Sequence, residues 1–170
     1  MNKVYFEHND KVVSADGQFA HVMAIALDPR ANYREGVIRC ITSREGDVRV
    51  KGYVDRSELH LTKGDSLEKF TVGAKLDIKN EVEIINKLIS DGASDFIGLE
   101  DPDIWIDEQT DLMHLYFTIP IKPAGNAFDK SKKIKIHLGH AFGKDLNSLE
   151  MTMPVLLDTY DNSAKEVSIA

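Results

Sequence analysis

Apolar and polar residues alternate with a period of two along most of this chain, the pattern of a strand that buries one face rather than of a helix. "VIRCITS", Val37 to Ser43, mixes β-branched with polar residues, and "DVRVKGYV", Asp47 to Val54, alternates strongly. Between them "REG", Arg44 to Gly46, reads as a turn, so the two runs are expected to form a hairpin. "SELHLT" (Ser57 to Thr62), "DIWID" (Asp103 to Asp107), "LMHLYFTI" (Leu112 to Ile119) and "KIKIHLGHAF" (Lys133 to Phe142) are bounded by polar or glycine-containing turns and are expected as further strands. The expected class is all-β.

One segment departs from that period. In "NEVEIINKLISDG" the residues Val82, Ile85, Leu88 and Ile89 recur at helical spacing, Asn80 stands where a cap belongs with Glu83 three residues on, and Gly92 can end the run. This predicts one short helix near 81–91. The polar stretch "IKPAGNAFDKSKK", between Pro120 and Lys133, holds Pro123 and Gly125, has no period, and is expected as a surface loop able to reach over a site. A loose internal repeat links "ELHLTKGDSLEKFTVGAKL" (Glu58 to Leu76) with "KIHLGHAFGKDLNSLEMTMPVL" (Lys135 to Leu156). Repetition of a β unit on this scale points to propeller blades, small sheets that cannot bury both faces alone.

A chain of 170 residues suffices for one domain with a real core. Its 21 Lys and Arg against 28 Asp and Glu give a formal charge of −7, with the signs interspersed. Nucleic acid and anionic membrane surfaces need a basic patch, so neither is expected as a partner; a neutral or polar small ligand fits better. Cys40 is the only cysteine, which excludes an intrachain disulfide or a thiolate metal cluster, points to a reducing compartment, and is expected as a small core residue. "MNKVYFEHNDK" carries no apolar stretch behind its lysine, and Val22 to Leu27 is too short to cross a bilayer, so a soluble, cytoplasmic protein is expected. His137 and His140, three apart on a strand, point to opposite faces, and no metal site is expected.

"GLEDPDIWIDEQTDLMHLYFTIP", Gly98 to Pro120, crowds Glu100, Asp101 and Asp103 around Pro102 and Trp105 just ahead of an apolar run. A solvated turn is the plainer account, since Asp before Pro initiates turns. The sharper account is catalytic: a carboxyl at the start of an inner strand, beside an apolar wall such as Trp105 and a like charge, is held protonated and can deliver a proton near neutral pH. Glycoside cleavage needs such a group to protonate the leaving oxygen. As neighbours on a strand, Glu100 and Asp101 are expected to face opposite ways and need not share a pocket.

"GLEDPDI", followed by "LMHLYFTIP", resembles the Gly, Ile or Val, Glu-Asp-Pro-Arg stretch and following aromatic strand of the β-mannoside phosphorylases and related glycosidases, glycoside hydrolase family 130. "EGVIRCITSREGD" is similar to that family's first inner strand, and "KIHLGHAFGKDLNSLEMTMPVL" to one of its blade edges; together the segments run from about Phe19 to Leu156 in the family's order. The resemblance implies a five-bladed β-propeller of which residues 1–170 form the amino-terminal part, about two blades and the start of a third, with the short helix inserted. It implies cleavage of a β-mannoside in an oligosaccharide by an inverting mechanism, with Asp101 as the general acid and Arg44 as the arginine that contacts phosphate or sugar. No cofactor is implied, inorganic phosphate being a possible co-substrate held by arginines through paired hydrogen bonds.

Glu100, Asp103, Tyr116 and His140 are further candidates for substrate contact. Tyr116 and His114 are expected to face opposite ways, one toward sugar and the other packed, whereas Arg30 and Arg34 are expected as exposed loop charges. Two departures stand out: Asp103 occupies the position of the motif's arginine, and the family's early Asn-Pro-Gly has no counterpart around "FAHVMAIA", Phe19 to Ala26. The expected partners are an oligosaccharide and either the remainder of the propeller or a second copy. The competing reading is a propeller fragment that binds carbohydrate or protein without turnover.

Overall fold

In the computed structural model, which describes residues 12–15, 17–50, 53–90, 92–123 and 134–158, the alternating runs build two β-sheets. The first contains β1 (Val13–Ser14), β2 (His21–Leu27), β3 (Glu35–Glu45), β4 (Val54–Ser66) and β5 (Lys69–Lys75) in the order β1-β5-β4-β3-β2. Its β1–β5 pair is parallel and the others antiparallel, so β2 to β5 form a four-stranded meander. After the helix α1 (Glu81–Leu88) come β6 (Asp95–Phe96), β7 (Glu100–Asp107), β8 (Leu112–Lys122), β9 (Lys135–Gly143) and β10 (Glu150–Met151). Strands β7 to β10 form a second antiparallel meander. The described chain is thus mostly β with one α-helix, and none of its helices is long and apolar enough to cross a membrane.

The core lies between the sheets. Val37 of β3 and Leu59 of β4 meet Met113, Leu115, Phe117 and Ile119 of β8 and Ala141 of β9, all at most 2% exposed, and Ile84 and Ile85 of α1 join them. The apolar residues of β8 in this cluster are at odd positions, as a strand with one face buried requires. Gly139 lets Phe117 lie flat across β9: a Cβ there would stand 2.3 Å from the Phe117 ring.

The first hairpin differs from its expected form. Strand β3 runs on through Arg44 to Glu45, which pairs with Val54, so the turn lies beyond Gly46 and Asp47 to Val50 of the predicted strand lie outside any strand. Its alternating valines meet no second layer, Val48 being 49% and Val50 62% exposed. Instead Asp47 folds the segment locally, accepting from the Arg49 backbone at 2.9 Å. The helix also differs in detail. Asn80 has φ 67° and makes no side-chain cap; its amide donates to Glu150 at 3.0 Å. Val82 is 73% exposed, and Ile84 takes its place in the buried stripe. The predicted loop between Pro120 and Lys133 has Pro120 to Lys122 inside β8, and 124–133 lie outside the described residues.

Strands β6 and β7 lie end to end along one edge of β8: Phe96 pairs with Ile121 and Glu100 with Thr118. The intervening Gly98 and Leu99 leave that edge, and Gly98 meets the first sheet. Gly98 (φ 150°) bridges Ser57 of β4, and the Ser57 amide donates to the Ile97 carbonyl at 3.3 Å. A Cβ on Gly98 would sit 2.0 Å from the Ser57 carbonyl oxygen, so only glycine permits this approach. Pro120, with no amide to donate, stands on β8 opposite the break and accepts from the Ile97 amide at 3.1 Å.

Candidate functional site

At this break the two sheets enclose a cleft of about 470 Å³. Met23 of β2, Tyr53 and Val54 wall it on the first sheet, Ile97, Pro120, Ile134 and Ile136 on the second, and its polar groups are Arg39, Asp55, Glu100 and Asp101. The size is that of an ordinary small-molecule site with a few polar groups among apolar walls.

Arg39 stands mid-strand in β3, on the face that Val37 and Leu59 give to the core, and its side chain is 10% exposed. A guanidinium so placed needs partners for its donors. Its Nε donates to Ser57 Oγ at 2.9 Å, Nη1 to Asp101 Oδ1 at 2.9 Å and Nη2 to Glu100 Oε1 at 2.5 Å. Ser57 Oγ in turn donates to Glu100 at 3.2 Å. The cluster ties β3 and β4 of one sheet to β7 of the other with charge-assisted hydrogen bonds.

Glu100 and Asp101, expected on opposite faces, both reach Arg39 because the strand is bulged there. Between Glu100↔Thr118 and Asp103↔Tyr116, β7 holds one residue more than β8, and Asp101 adopts φ 49°. This left-handed conformation suits Asp better than most side chains, and such bulges re-aim side chains at functional edges.

Asp55 faces the cleft from the first sheet, and Arg44 stands behind it. Arg44 Nε lies 2.5 Å from Asp55 Oδ1 and Nη2 2.7 Å from Oδ2, with the guanidinium carbon 6.0 Å from the Tyr53 ring centre. These hydrogen bonds from Arg44 hold the Asp55 carboxyl below the usual carboxylate range against the opposing effect of burial. Arg44 is not among the residues that line the cleft, and reaches it through Asp55.

The other predicted contacts lie elsewhere. Asp103, Tyr116 and His140 form one cross-strand row of β7, β8 and β9, and Trp105, His114 and Phe142 form the next. His114 and Tyr116, expected on opposite faces, share one because residues two apart on a strand point the same way; both contact the His140 ring, at 5.2 and 4.9 Å between centroids. His114 Nδ1 is 2.9 Å from His140 Nε2, and His140 Nδ1 is 3.0 Å from Thr152 Oγ1. Trp105 packs against His114 at 5.1 Å between centroids and does not line the cleft, so it is not the apolar wall of Asp101. The paired Pro120 and Ile136, which do line it, lie four residues from the Tyr116–His140 row, about 14 Å along the strands.

His137 lies away from that row and accepts from the Asp158 amide at 2.9 Å. Among the described residues no group of three or more His, Cys, Asp or Glu is arranged to hold a metal ion. Arg30, expected as an exposed loop charge, is exposed and also joins the two sheets' loops by donating to the carbonyls of Asp111 at 3.1 Å and Lys144 at 2.9 Å. Arg34 donates to the Asp65 carbonyl.

Arg39, Tyr53 and Asp55 of the cleft, and Ser57 beside Arg39, are residues that sequence reasoning missed. Arg39 carried a signal: it is a lone cation inside "VIRCI", where each neighbour is buried. Asp55 was hidden by the misplaced turn, because the register that pairs it with Arg44 needs the long loop. Comparison with family models finds no match for this chain, and comparison with curated proteins finds none either.

Proposed function

We propose that this chain is the amino-terminal part of a carbohydrate-active β-propeller that cleaves β-mannosides by an inverting mechanism, with Asp101 as the general acid. The observation that carries this reading is the bulge at Asp101, which turns its carboxylate and that of Glu100 into a cleft between two sheets. Two successive four-stranded meanders, with β2 against β7, support the blade repeat. Asp101 would protonate the leaving oxygen; the Arg39 guanidinium, whose Nη1 lies 2.9 Å from Asp101 Oδ1, pairs with it as a carboxylate and so weighs toward the second reading, binding without turnover. The arginines nearest the cleft are each held by carboxylates, Arg39 by Glu100 and Asp101 and Arg44 by Asp55, which favours water over phosphate as the nucleophile.

A second reading is a binding module for carbohydrate or protein without turnover. The mutual satisfaction of Arg39, Ser57, Glu100 and Asp101 favours it, since the same bonds serve as a clamp between the sheets. Release of mannose or mannose 1-phosphate from β-mannosides by the full-length gene product, with and without phosphate, separates the two. Phosphate-independent release lost in Asp101→Asn supports the hydrolase; release that requires phosphate makes the protein a phosphorylase; a folded protein that releases nothing from a broad glycoside panel leaves the binding module.

A further inference from the structure

We propose that a second cavity between the sheets is a binding site for a small organic ammonium ion, with the Glu81 carboxylate as its counter-charge. The cavity holds about 200 Å³ and lies where β4 and β5 meet the 96–99 segment and the first turn of α1. It shares Ile97 with the cleft and none of Arg39, Asp55, Glu100 or Asp101, so the inference goes beyond the glycoside reading and does not depend on it.

The walls of the cavity are apolar: Leu59, Leu76, Ile97 and Leu99, each at most 6% exposed, line it. Of the four charged groups in the lining, three are already paired. Arg56 donates to Glu45 at 2.9 Å and to Asp95 at 2.6 Å, and Lys75 donates to Glu58 at 2.9 Å. Glu81 is the fourth. It is half-buried, and its carboxylate accepts no hydrogen bond from the described residues. A carboxylate withdrawn from water loses hydration that no protein donor replaces here. Burial accordingly raises the pKa of Glu81; the Glu58 and Asp77 charges add to this and Lys75 opposes it. The helix does not need an acid turned into the cavity. Glu83, in the same first turn, serves the N-terminus of α1 from solvent and pairs with Lys87 at 2.7 Å.

The class of occupant follows from these groups. A cation is favoured over an anion, because both cations of the lining are engaged and the charge without a partner is negative. Ammonium N–H groups give the carboxylate the charge-assisted hydrogen bonds it lacks. A bare metal ion needs further ligands, and among the described residues no group of three or more His, Cys, Asp or Glu is arranged to hold one. The aliphatic walls favour a short alkyl chain behind the nitrogen. The volume sets its size: several times the ~30 Å³ share of one water, yet below the about 300–1,000 Å³ of sites for drug-sized ligands.

The test is titration of the full-length gene product with n-butylammonium chloride, followed by the amide chemical shifts of Ile97, Gly98 and Leu99, with sodium chloride at matched ionic strength as the blank. Saturable shifts are expected. n-Butanol, similar in shape but uncharged, should bind about tenfold or more weakly, the difference that one charge-assisted hydrogen bond makes. Glu81→Gln keeps the size of the side chain and should weaken the amine by a similar factor while leaving the weaker n-butanol binding unchanged. A measurement on the unaltered protein stands beside the variant: the ammonium ion favours the ionised carboxyl, so the Glu81 carboxyl carbon should titrate at lower pH with n-butylammonium present than without it. Wild-type protein that gives no saturable shift, or that binds n-butanol as tightly, overturns the proposal. So does binding confined to Lys75→Met, which would show that Lys75 itself supplies the ammonium group to Glu81. None of these outcomes bears on whether the cleft releases sugar, which the β-mannoside assay decides separately.

Discussion

Arg39 and Asp101 meet across the two sheets, Nη1 to Oδ1 at 2.9 Å, although the sequence separates them by 62 residues. The same guanidinium holds Glu100 and Ser57, so one side chain joins three strands. Removing it leaves two adjacent carboxylates, 15% and 22% exposed, without their shared cation. Arg39→Met is therefore expected to destabilise the protein by about 3 kcal/mol, the cost of breaking a largely buried pair from one side. Urea denaturation measures this as a lower midpoint at unchanged slope. A loss below about 1 kcal/mol would mean that water replaces the guanidinium and the clamp is no stronger than a surface pair.

Asp101 carries both a charge and a left-handed backbone, and the two roles can be separated. Asn tolerates φ 49° as Asp does, whereas a β-branched residue does not. Asp101→Asn should therefore stay folded while losing any proton donation, and Asp101→Val should cost a further ~1–3 kcal/mol of backbone strain. Comparing the melting temperatures of the two variants checks this; equal values would show that the bulge relaxes when the side chain changes.

Gly98 is the second fixed point of the seam. Its Cβ-less backbone lies against Ser57 so closely that an added methyl would overlap the carbonyl oxygen at 2.0 Å. Gly98→Ala is expected to cost about 2 kcal/mol or more, through φ strain and the displaced β4 contact. Amide exchange should report it locally: the Ser57 amide, which donates to Ile97, should lose protection before the rest of β4. Uniform loss along β4 would place the damage in the sheet as a whole.

Local physics made the strands legible and tertiary pairing hid the seam. Period-two alternation located β3, β4, β7, β8 and β9, since each buries one face against the common core. It failed at Asp47 to Val50, where the pattern is present but Val48 and Val50 stay exposed, and that misplaced turn concealed the Arg44–Asp55 pair. Glu100 and Asp101 stood out as acids ahead of an apolar run, yet their convergence depends on an extra residue in β7 that no alternation rule reveals. Arg39 was visible as a cation among buried neighbours, but its partners lie 18 to 62 residues away and are set by the packing of the sheets.

Cys40 should be inert in the folded protein. It is fully buried in β3, and burial, with the nearby Glu58 charge adding to it, pushes the thiol up to about 11. Since the thiolate is the reactive form, labelling with a thiol reagent near about pH 8 should be slow in the native state and fast in urea. Rapid native labelling would show that the β3 region opens well below the global unfolding free energy.

Two histidines should make stability depend on pH above the carboxylate range. Burial lowers the pKa of both His137 and His140; the neighbouring His114 adds to the effect at His140, and Lys135 adds to it at His137 while Asp158 opposes it. The unfolded chain, with histidine near pKa ~6.5, therefore takes up protons before the folded protein does. Stability falls as pH drops through that value and levels off below the folded pKa, because the unfolded state binds more protons throughout the window. Between about pH 7.5 and about pH 5.5 the unfolding midpoint should decrease, and His137→Gln or His140→Gln should each reduce the slope. The window matters, because Asp55, Asp95 and Asp107, whose carboxyls are lowered, add losses only at more acid pH, while the raised Glu81 contributes with the opposite sign. His114 sharpens the expectation for His140: with Thr152 Oγ1 donating to the Met153 carbonyl, the hydroxyl oxygen accepts from His140 Nδ1, and His140 Nε2 accepts from His114 Nδ1. Protonating His140 would set its Nε2–H against the His114 Nδ1–H at 2.9 Å, which adds to the cost of charging it. Nitrogen chemical shifts of the His140 ring test this, and a ring already charged in the folded protein at about pH 6.5 would overturn it.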